Sequence, residues 1–163
     1  MQNEQEEIVK LGENQVFYLP YLMGERSPHN DPSARAAFIG MSMDTTREEM
    51  TQAVLEGVAF GLRDSLEVAR NLGIQIERTK ICGGGAKSLL WKKIIANVMN
   101  LKVDVIESEE GPGYGAAILA AVGCGEFENV ESAVDKLVHV VETVEPDTEL
   151  VEKYEKCYRK FKK

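Results

Sequence analysis

The amino-acid sequence predicts an α/β domain in which strands alternate with helices. Three observations support this fold class. Short apolar runs are bounded by glycine, proline and polar residues, as buried strands usually are. Longer segments carry apolar residues at a spacing of three and four, which is typical of amphipathic helices. The 163 residues, of which 44% are hydrophobic and 28% charged, are enough for one domain with a substantial core.

Two short strands are predicted in the first quarter of the chain. The run 15–22 is rich in aromatic and branched residues and predicts a strand, although Pro20 weakens its end. A loop dense in Gly, Pro, Asn and Asp follows over 23–35. The run 36–43 then predicts a second strand.

A long amphipathic helix is predicted over 46–71. Thr46 is followed three positions later by Glu49, the capping-box pattern that satisfies free amides at a helix start. Gly57 and Gly61 fall on the apolar face, where glycine costs about 1 kcal/mol relative to alanine. We therefore expect another element to pack closely against these two glycines.

The second half of the chain is predicted to continue the alternation of strands and helices. In chain order we expect a strand over 78–82, a helix over 87–100, a strand over 102–107, and helices over 111–125, over 131–141 and from the N-cap Asp147 onward.

The net charge and the cysteine pattern exclude several classes of function. A net charge of −8 repels phosphodiester backbones and anionic lipids, so we expect no nucleic-acid and no membrane partner. Cys82, Cys124 and Cys157 form no C-x-x-C pair, which indicates reduced thiols in the cytoplasm rather than a disulfide or zinc framework. His29 and His139 lie far from one another, so no metal cluster is expected.

Three consecutive glycines end the predicted strand 78–82. Small residues at a strand-to-helix junction let a ligand approach the backbone, and amides at a helix start attract anions. The G-x-x-x-x-G-K-[ST] motif fails because Ala86 precedes Lys87, and G-x-G-x-x-G is incomplete because Ser88 replaces its third glycine. The stretch 83–88 therefore leaves two interpretations, a phosphate-binding turn and a tight structural turn.

A second glycine-rich junction, within 107–117, favours the ligand-binding interpretation. It also leads from a predicted strand into a predicted helix. Ligands of open α/β sheets bind outside the carboxyl ends of strands, and two such junctions on neighbouring strands could form one cleft. The residues alone thus predict a nucleotide or phosphate cleft and assign no catalytic side chain. Cys82 is expected to be inert.

Three blocks of the sequence resemble the C-terminal half of the FGGY carbohydrate kinases. Residues 36–56, "AAFIGMSMDTTREEMTQAVLE", satisfy every residue class of the signature of that family. Residues 83–98 and 109–121 match two later blocks in the same order. The resemblance runs from about residue 15 to about residue 125. It implies the C-terminal domain of the actin-like ATPase, ribonuclease H-like fold, with a mixed sheet flanked by helices.

The resemblance implies transfer of the ATP γ-phosphoryl group to a sugar hydroxyl with Mg²⁺, a reaction that depends mainly on positioning and charge stabilisation. The nucleotide site would include Gly84, Gly85, Ala86 and Lys87, with Leu89 near the adenine edge. Lys87 has two interpretations, a phosphate contact and a solvated side chain. The loop over 23–35 is most similar to that of family members that use xylulose; gluconate, glycerol or a deoxy-sugar remain alternatives.

Within this loop, Arg26, Asp31 and Arg35 are expected to form ion pairs that shape the domain junction.

Family members are much longer, so we expect a single C-terminal domain over 15–163, preceded over 1–14 by a flexible or short helical lead-in. The sugar pocket and the general-base aspartate would lie in an N-terminal domain outside this sequence. The chain alone is expected to bind ATP or ADP weakly and to lack kinase activity. Its exposed domain face is a candidate surface for a homodimer. A non-catalytic module of the same fold is the alternative function.

Overall fold

The computed structural model describes residues 9–108 and 111–163, and most of the lead-in 1–14 therefore lies outside the described residues. Within the described ranges, a two-stranded antiparallel sheet and a three-stranded mixed sheet are flanked by helices. Val9 and Leu11 are buried, and Leu11 belongs to the main hydrophobic core. The α/β fold class predicted from the sequence is confirmed.

The first part of the chain forms a small sheet against a long helix. Strand β1 (Phe17–Leu19) pairs antiparallel with β2 (Ala37–Ile39), and helix α1 (Arg47–Asn71) packs on β1. Both bonds of the capping box at Thr46 and Glu49 are present: the Glu49 amide donates to Thr46 Oγ1 at 3.2 Å, and the Thr46 amide donates to Glu49 Oε2 at 2.7 Å. The predicted helix start is therefore confirmed.

The remaining elements follow the predicted order with one exception. They are β3 (Arg78–Ile81), a 3₁₀ helix (Gly84–Lys87), α2 (Leu89–Met99), β4 (Lys102–Ile106), α3 (Gly111–Gly123), α4 (Val130–Leu137), β5 (Val140–Val144) and α5 (Thr148–Phe161). Strand β4 is central, parallel to β3 and antiparallel to β5. Asp147 caps α5 as predicted, since its Oδ1 accepts from the Leu150 amide at 3.0 Å.

The predicted helix over 131–141 is wrong at its C-terminal end. Helix α4 ends at Leu137, and Val140 and Val141 belong to β5. Apolar spacing alone extends the helix through these valines, but branched side chains favour a strand when a partner is within reach. Strand β4 supplies that partner, with Ile106 opposite Val140 and an additional bond from the Glu107 amide to the His139 carbonyl at 3.0 Å.

The main core lies between α1, α2, α5 and the mixed sheet. Aromatic rings hold α1 to α5: Phe60 lies 6.2 Å from Tyr154, 6.0 Å from Tyr158 and 5.2 Å from Phe161, measured between ring centroids. Leu90, Ile94, Val98 and Val103 are almost completely buried beneath these rings. This packing fixes where α2 begins, which is the position of the first glycine-rich turn.

A buried polar cluster joins α1 to α5 within this core. The Glu56 carboxylate accepts from Gln52 Nε2 at 2.9 Å and from the Tyr154 hydroxyl at 3.0 Å, and only 4% of Glu56 is exposed. Burial raises the pKa of the Glu56 carboxyl to about 7, although its hydrogen bonds act in the opposite direction.

Close packing at Gly57 predicts that alanine at this position destabilises the fold, although alanine usually stabilises a helix. An alanine Cβ at Gly57 would lie 2.1 Å from the Tyr18 carbonyl oxygen, whereas at Gly61 the nearest atom is Pro20 Cγ at 3.4 Å. Gly57→Ala should lower the free energy of unfolding by at least about 1–3 kcal/mol, because backbone must move. Gly61→Ala, the matched control, should be within about 1 kcal/mol of the parent or more stable. Equal effects in urea denaturation would contradict this packing.

The raised pKa of Glu56 predicts a pH dependence of stability. Between the ordinary value of 4.5 and about 7, the folded chain retains a proton that the unfolded chain releases. Stability from this group should therefore fall by up to about 3 kcal/mol as pH rises through that window, and level off above it. Glu56→Gln should flatten the unfolding free energy measured between about pH 5 and about pH 8.

Glu155→Gln is the matched control for that measurement. The pKa of the Glu155 carboxyl is lowered mainly by its hydrogen bond with Arg63, so its contribution is present above the ordinary value of 4.5 and is lost only below it. This variant should keep the slope between mildly acidic and neutral pH. An unchanged slope in Glu56→Gln would show that Glu56 does not titrate in this window.

Candidate functional site

The first glycine-rich corner follows the carboxyl end of β3. Gly83 has φ 77° and ψ −166°, a backbone conformation open essentially only to glycine. This residue reverses the chain into the 3₁₀ helix, where the Ala86 amide donates to the Gly83 carbonyl at 3.1 Å. Ser88 then starts α2, because its Oγ accepts from the Trp91 amide at 3.1 Å.

The three glycines of this corner have different physical requirements. Gly83 is required by its positive φ. Gly85 lies beneath the indole of Trp91, since an added Cβ would be 3.3 Å from Trp91 Nε1. Gly84 has neither constraint, because an added Cβ would meet no atom within 4 Å. The surface above Gly84 is therefore open to a ligand.

The second corner, at the start of α3, lies directly beside the first. A Cβ added at Gly111 would be 2.4 Å from Cys82 Sγ, the side chain that immediately follows β3. Parallel strands end at the same edge of a sheet, and Ile81 of β3 is in register with Val105 of β4. The two glycine-rich corners therefore converge, as the sequence predicts.

The residues predicted to bind a nucleotide all lie at the surface of the first corner. Gly84, Gly85 and Lys87 are exposed, and Ala86 is half-buried. Leu89 begins α2 with 43% of its surface exposed, which is unusual for leucine. This placement leaves main-chain groups and one apolar side chain accessible together. Contact of these five residues with a nucleotide stays a prediction.

The loop residues Asp31 and Arg35 form hydrogen bonds with the main chain, and no ion pair is found for them or for Arg26 within the described residues. Asp31 Oδ1 accepts from the Ser33 amide at 2.8 Å. Arg35 Nη1 donates to the carbonyls of Pro32 at 2.9 Å and Ala34 at 2.7 Å. Arg26 is exposed, and none of the three forms an ion pair within 9–108 and 111–163. The expected ion pairs are thus replaced by hydrogen bonds, and a role at a domain junction stays a prediction.

Sequence analysis missed a buried acidic cluster that fixes this loop. Glu25 Oε2 accepts from the amides of His29 at 2.7 Å and Asn30 at 3.0 Å. Asp64 of α1 is 5% exposed and accepts from the Tyr158 hydroxyl at 2.5 Å. Burial and Asp64 raise the pKa of the Tyr158 hydroxyl. The sequence could have indicated that Asp64 is buried, because it lies four residues after Phe60 on the apolar face of α1.

Two classes of feature are absent from the part of the chain that the structure describes. It contains no group of three or more His, Cys, Asp or Glu side chains arranged to hold a metal ion. None of its helices combines the length and the apolar character needed to cross a bilayer.

Fold and site together define an α/β domain in which the two parallel strands, β3 and β4, lead into two adjoining glycine-rich corners. Comparison with known proteins identifies its relationship: the chain belongs to the FGGY family of carbohydrate kinases, whose C-terminal-domain model matches residues 1–124. The sequence-based recognition of this family is confirmed.

Two curated relatives named xylulose kinase are similar to nearly the whole chain. The chain is 41% identical over 149 residues to a xylulose kinase of Staphylococcus epidermidis, covering 91% of the chain and 30% of that protein. It is 36% identical over 156 residues to the Bacillus subtilis xylulose kinase, covering 96% and 31%. The chain thus spans about a third of the length of these curated relatives.

A solved structure supports the fold prediction. The crystal structure of a xyloylose kinase from Brucella ovis superposes with a TM-score of 0.85 at 33% identity, over 99% of this chain and 33% of that one. FGGY kinases have the actin-like ATPase fold, so the predicted fold is confirmed.

Alanine substitutions at Gly83 and Gly84 should have different effects on the free energy of unfolding. Gly83→Ala should lower the free energy of unfolding by about 1–3 kcal/mol, because alanine is strained at this φ and ψ. Gly84→Ala should leave it within about 0.5 kcal/mol of the parent, since its Cβ meets nothing. Chemical denaturation of both variants checks this difference. Comparable losses at the two positions would contradict the geometry of the turn.

Proposed function

We propose that this chain forms the nucleotide-binding part of a kinase that transfers the ATP γ-phosphoryl group to xylulose. Family membership and relatives named xylulose kinase support the reaction and the sugar. The observations that support the site assignment are the contact between the two glycine corners at Cys82 and Gly111 and the open space at Gly84. The sugar pocket and the general base belong to a preceding domain in this proposal.

The proposed role of the first corner is to hold phosphate through main-chain amides. Amides at the start of a helix carry partial positive charge and attract anions. Gly84 and Gly85 add no side chain that would keep a phosphate away from these amides. Leu89, exposed beside them, offers an apolar contact for the edge of a base. Lys87 adds a positive charge at the same end of α2.

We propose that Mg²⁺ enters with the nucleotide rather than at a site built by this chain. Mg²⁺ in kinases is usually held by substrate phosphates and one or two carboxylates, and keeps several waters. The described residues offer no cluster of three or more candidate ligands, which fits such an arrangement. Bound with ATP, the ion would neutralise charge on the phosphates. The chain itself would position the nucleotide, and phosphoryl transfer depends on such positioning together with charge stabilisation.

Trp91 offers a direct measurement of nucleotide binding. It is the single tryptophan of the sequence and its indole packs against Gly85. ADP titration should change its fluorescence, and Gly84→Ala should weaken ADP binding by about tenfold or more without loss of stability. Gly123→Ala is the matched control, because an added Cβ there also meets nothing and the residue lies at the far end of α3. Equal ADP affinity in the parent and Gly84→Ala would reject the site.

Catalytic competence is tested in a chimera. This chain would replace the matching part of the Bacillus subtilis xylulose kinase, of which it covers 31%. The chimera should phosphorylate xylulose, whereas the 163-residue chain alone should not. A folded chimera that binds ADP but transfers no phosphate would favour a non-catalytic module of the same fold.

A further inference from the structure

We propose that the Cys82 side chain is a spacer that sets the distance between the two glycine corners and so positions the nucleotide-binding amides. This inference rests on the proposed function, and it concerns a residue outside the predicted set of nucleotide contacts. The observation behind it is the contact between Cys82 and Gly111. Cys82 comes from the end of β3, whereas Gly111 is the first residue of α3.

The contact leaves no room for a side chain at Gly111. An added Cβ would lie 2.4 Å from Cys82 Sγ and 3.8 Å from Cys82 Cβ. Favourable carbon contacts lie at about 3.5–4.0 Å, so an alanine would have to displace the sulfur or the start of α3 by more than about 1 Å. The contact is relieved either by rotation of the Cys82 thiol about its single side-chain torsion or by a shift of the second corner, and both responses remove the spacer contact.

Two neighbours restrict the residue at this position. Gly111 is not among the residues with positive φ, but it precedes Pro112, whose ring disfavours helical backbone in a residue that carries a Cβ. It also faces Cys82 Sγ. Gly115, one turn later on the same helix, has no atom within 4 Å of its Cβ position. These two glycines differ in the contact with Cys82 and in the proline that follows Gly111. The Cys82 sulfur therefore occupies space that a side chain at position 111 would need.

The location of the contact gives it a role in binding rather than only in packing. Cys82 directly precedes Gly83, whose positive φ turns the chain toward Gly84 and Gly85. A displacement of Cys82 is therefore transmitted to the amides that follow it. A displacement of Gly111 instead moves the start of α3 relative to those amides. Either change alters the opening in which a phosphate chain would lie.

A double-mutant cycle between the two positions tests the spacer. Gly111→Ala should weaken ADP binding, read by Trp91 fluorescence, by about tenfold, and Cys82→Ala by about threefold. The double variant Cys82→Ala/Gly111→Ala should recover to within about threefold of the parent, because the new methyl group occupies the volume that sulfur vacates. Gly115→Ala is the matched control: its effect on ADP affinity should be the same with Cys or Ala at position 82.

Thermal denaturation without nucleotide completes the experiment. Recovery of both stability and ADP affinity in the double variant supports the spacer. Recovery of stability without recovery of affinity would overturn it, since the contact would then serve packing alone. Additive effects in both measurements would overturn it as well. A parent chain that binds no ADP would instead reject the proposed function, and the inference with it.

Discussion

The parallel pairing of β3 with β4 is the constraint on which the candidate site depends. Register places Ile81 beside Val105, so both strands end at one edge of the sheet and both following turns are delivered to the same place. Burial supports this pairing, because Val103 at the centre of β4 is fully buried in the main core. A one-residue slip would turn Val103 toward the opposite face, which makes the register energetically well defined.

The helices around this sheet fix the orientation of the first corner. Helix α2 packs against α1 and α5, so the Ser88 cap at its start cannot move independently of the core. Buried polar contacts from α1 to α5 add direction to the apolar packing, since the Tyr154 hydroxyl reaches Glu56 and the Tyr158 hydroxyl reaches Asp64. Hydrogen bonds of this kind accept few alternative arrangements. The aromatic core therefore supports the site from a distance.

Much of this architecture could be predicted from local sequence signals. Contacts between residues distant in sequence could not be predicted. The capping box at Thr46 and the cap at Asp147 depend on residues three positions apart, and both were predicted correctly. The glycine corners were predicted because strand-to-helix turns have a local composition. Strand β5 was missed because its valines fit a helical spacing, and only its pairing with β4 shows that they form a strand. The contact of Cys82 with Gly111 likewise joins residues that sequence spacing does not relate.

The glycine-rich blocks identify the family, whereas no catalytic side chain could be assigned from the sequence. Under the proposed function, the conformation at Gly83 and the open space at Gly84 matter more than any functional group. An amide binds phosphate in the same way whichever sugar receives it, so the same corners serve a family with several sugar substrates. Under the same proposal, substrate choice would belong to the part of the enzyme that contacts the sugar, and this chain would hold the nucleotide in position for transfer.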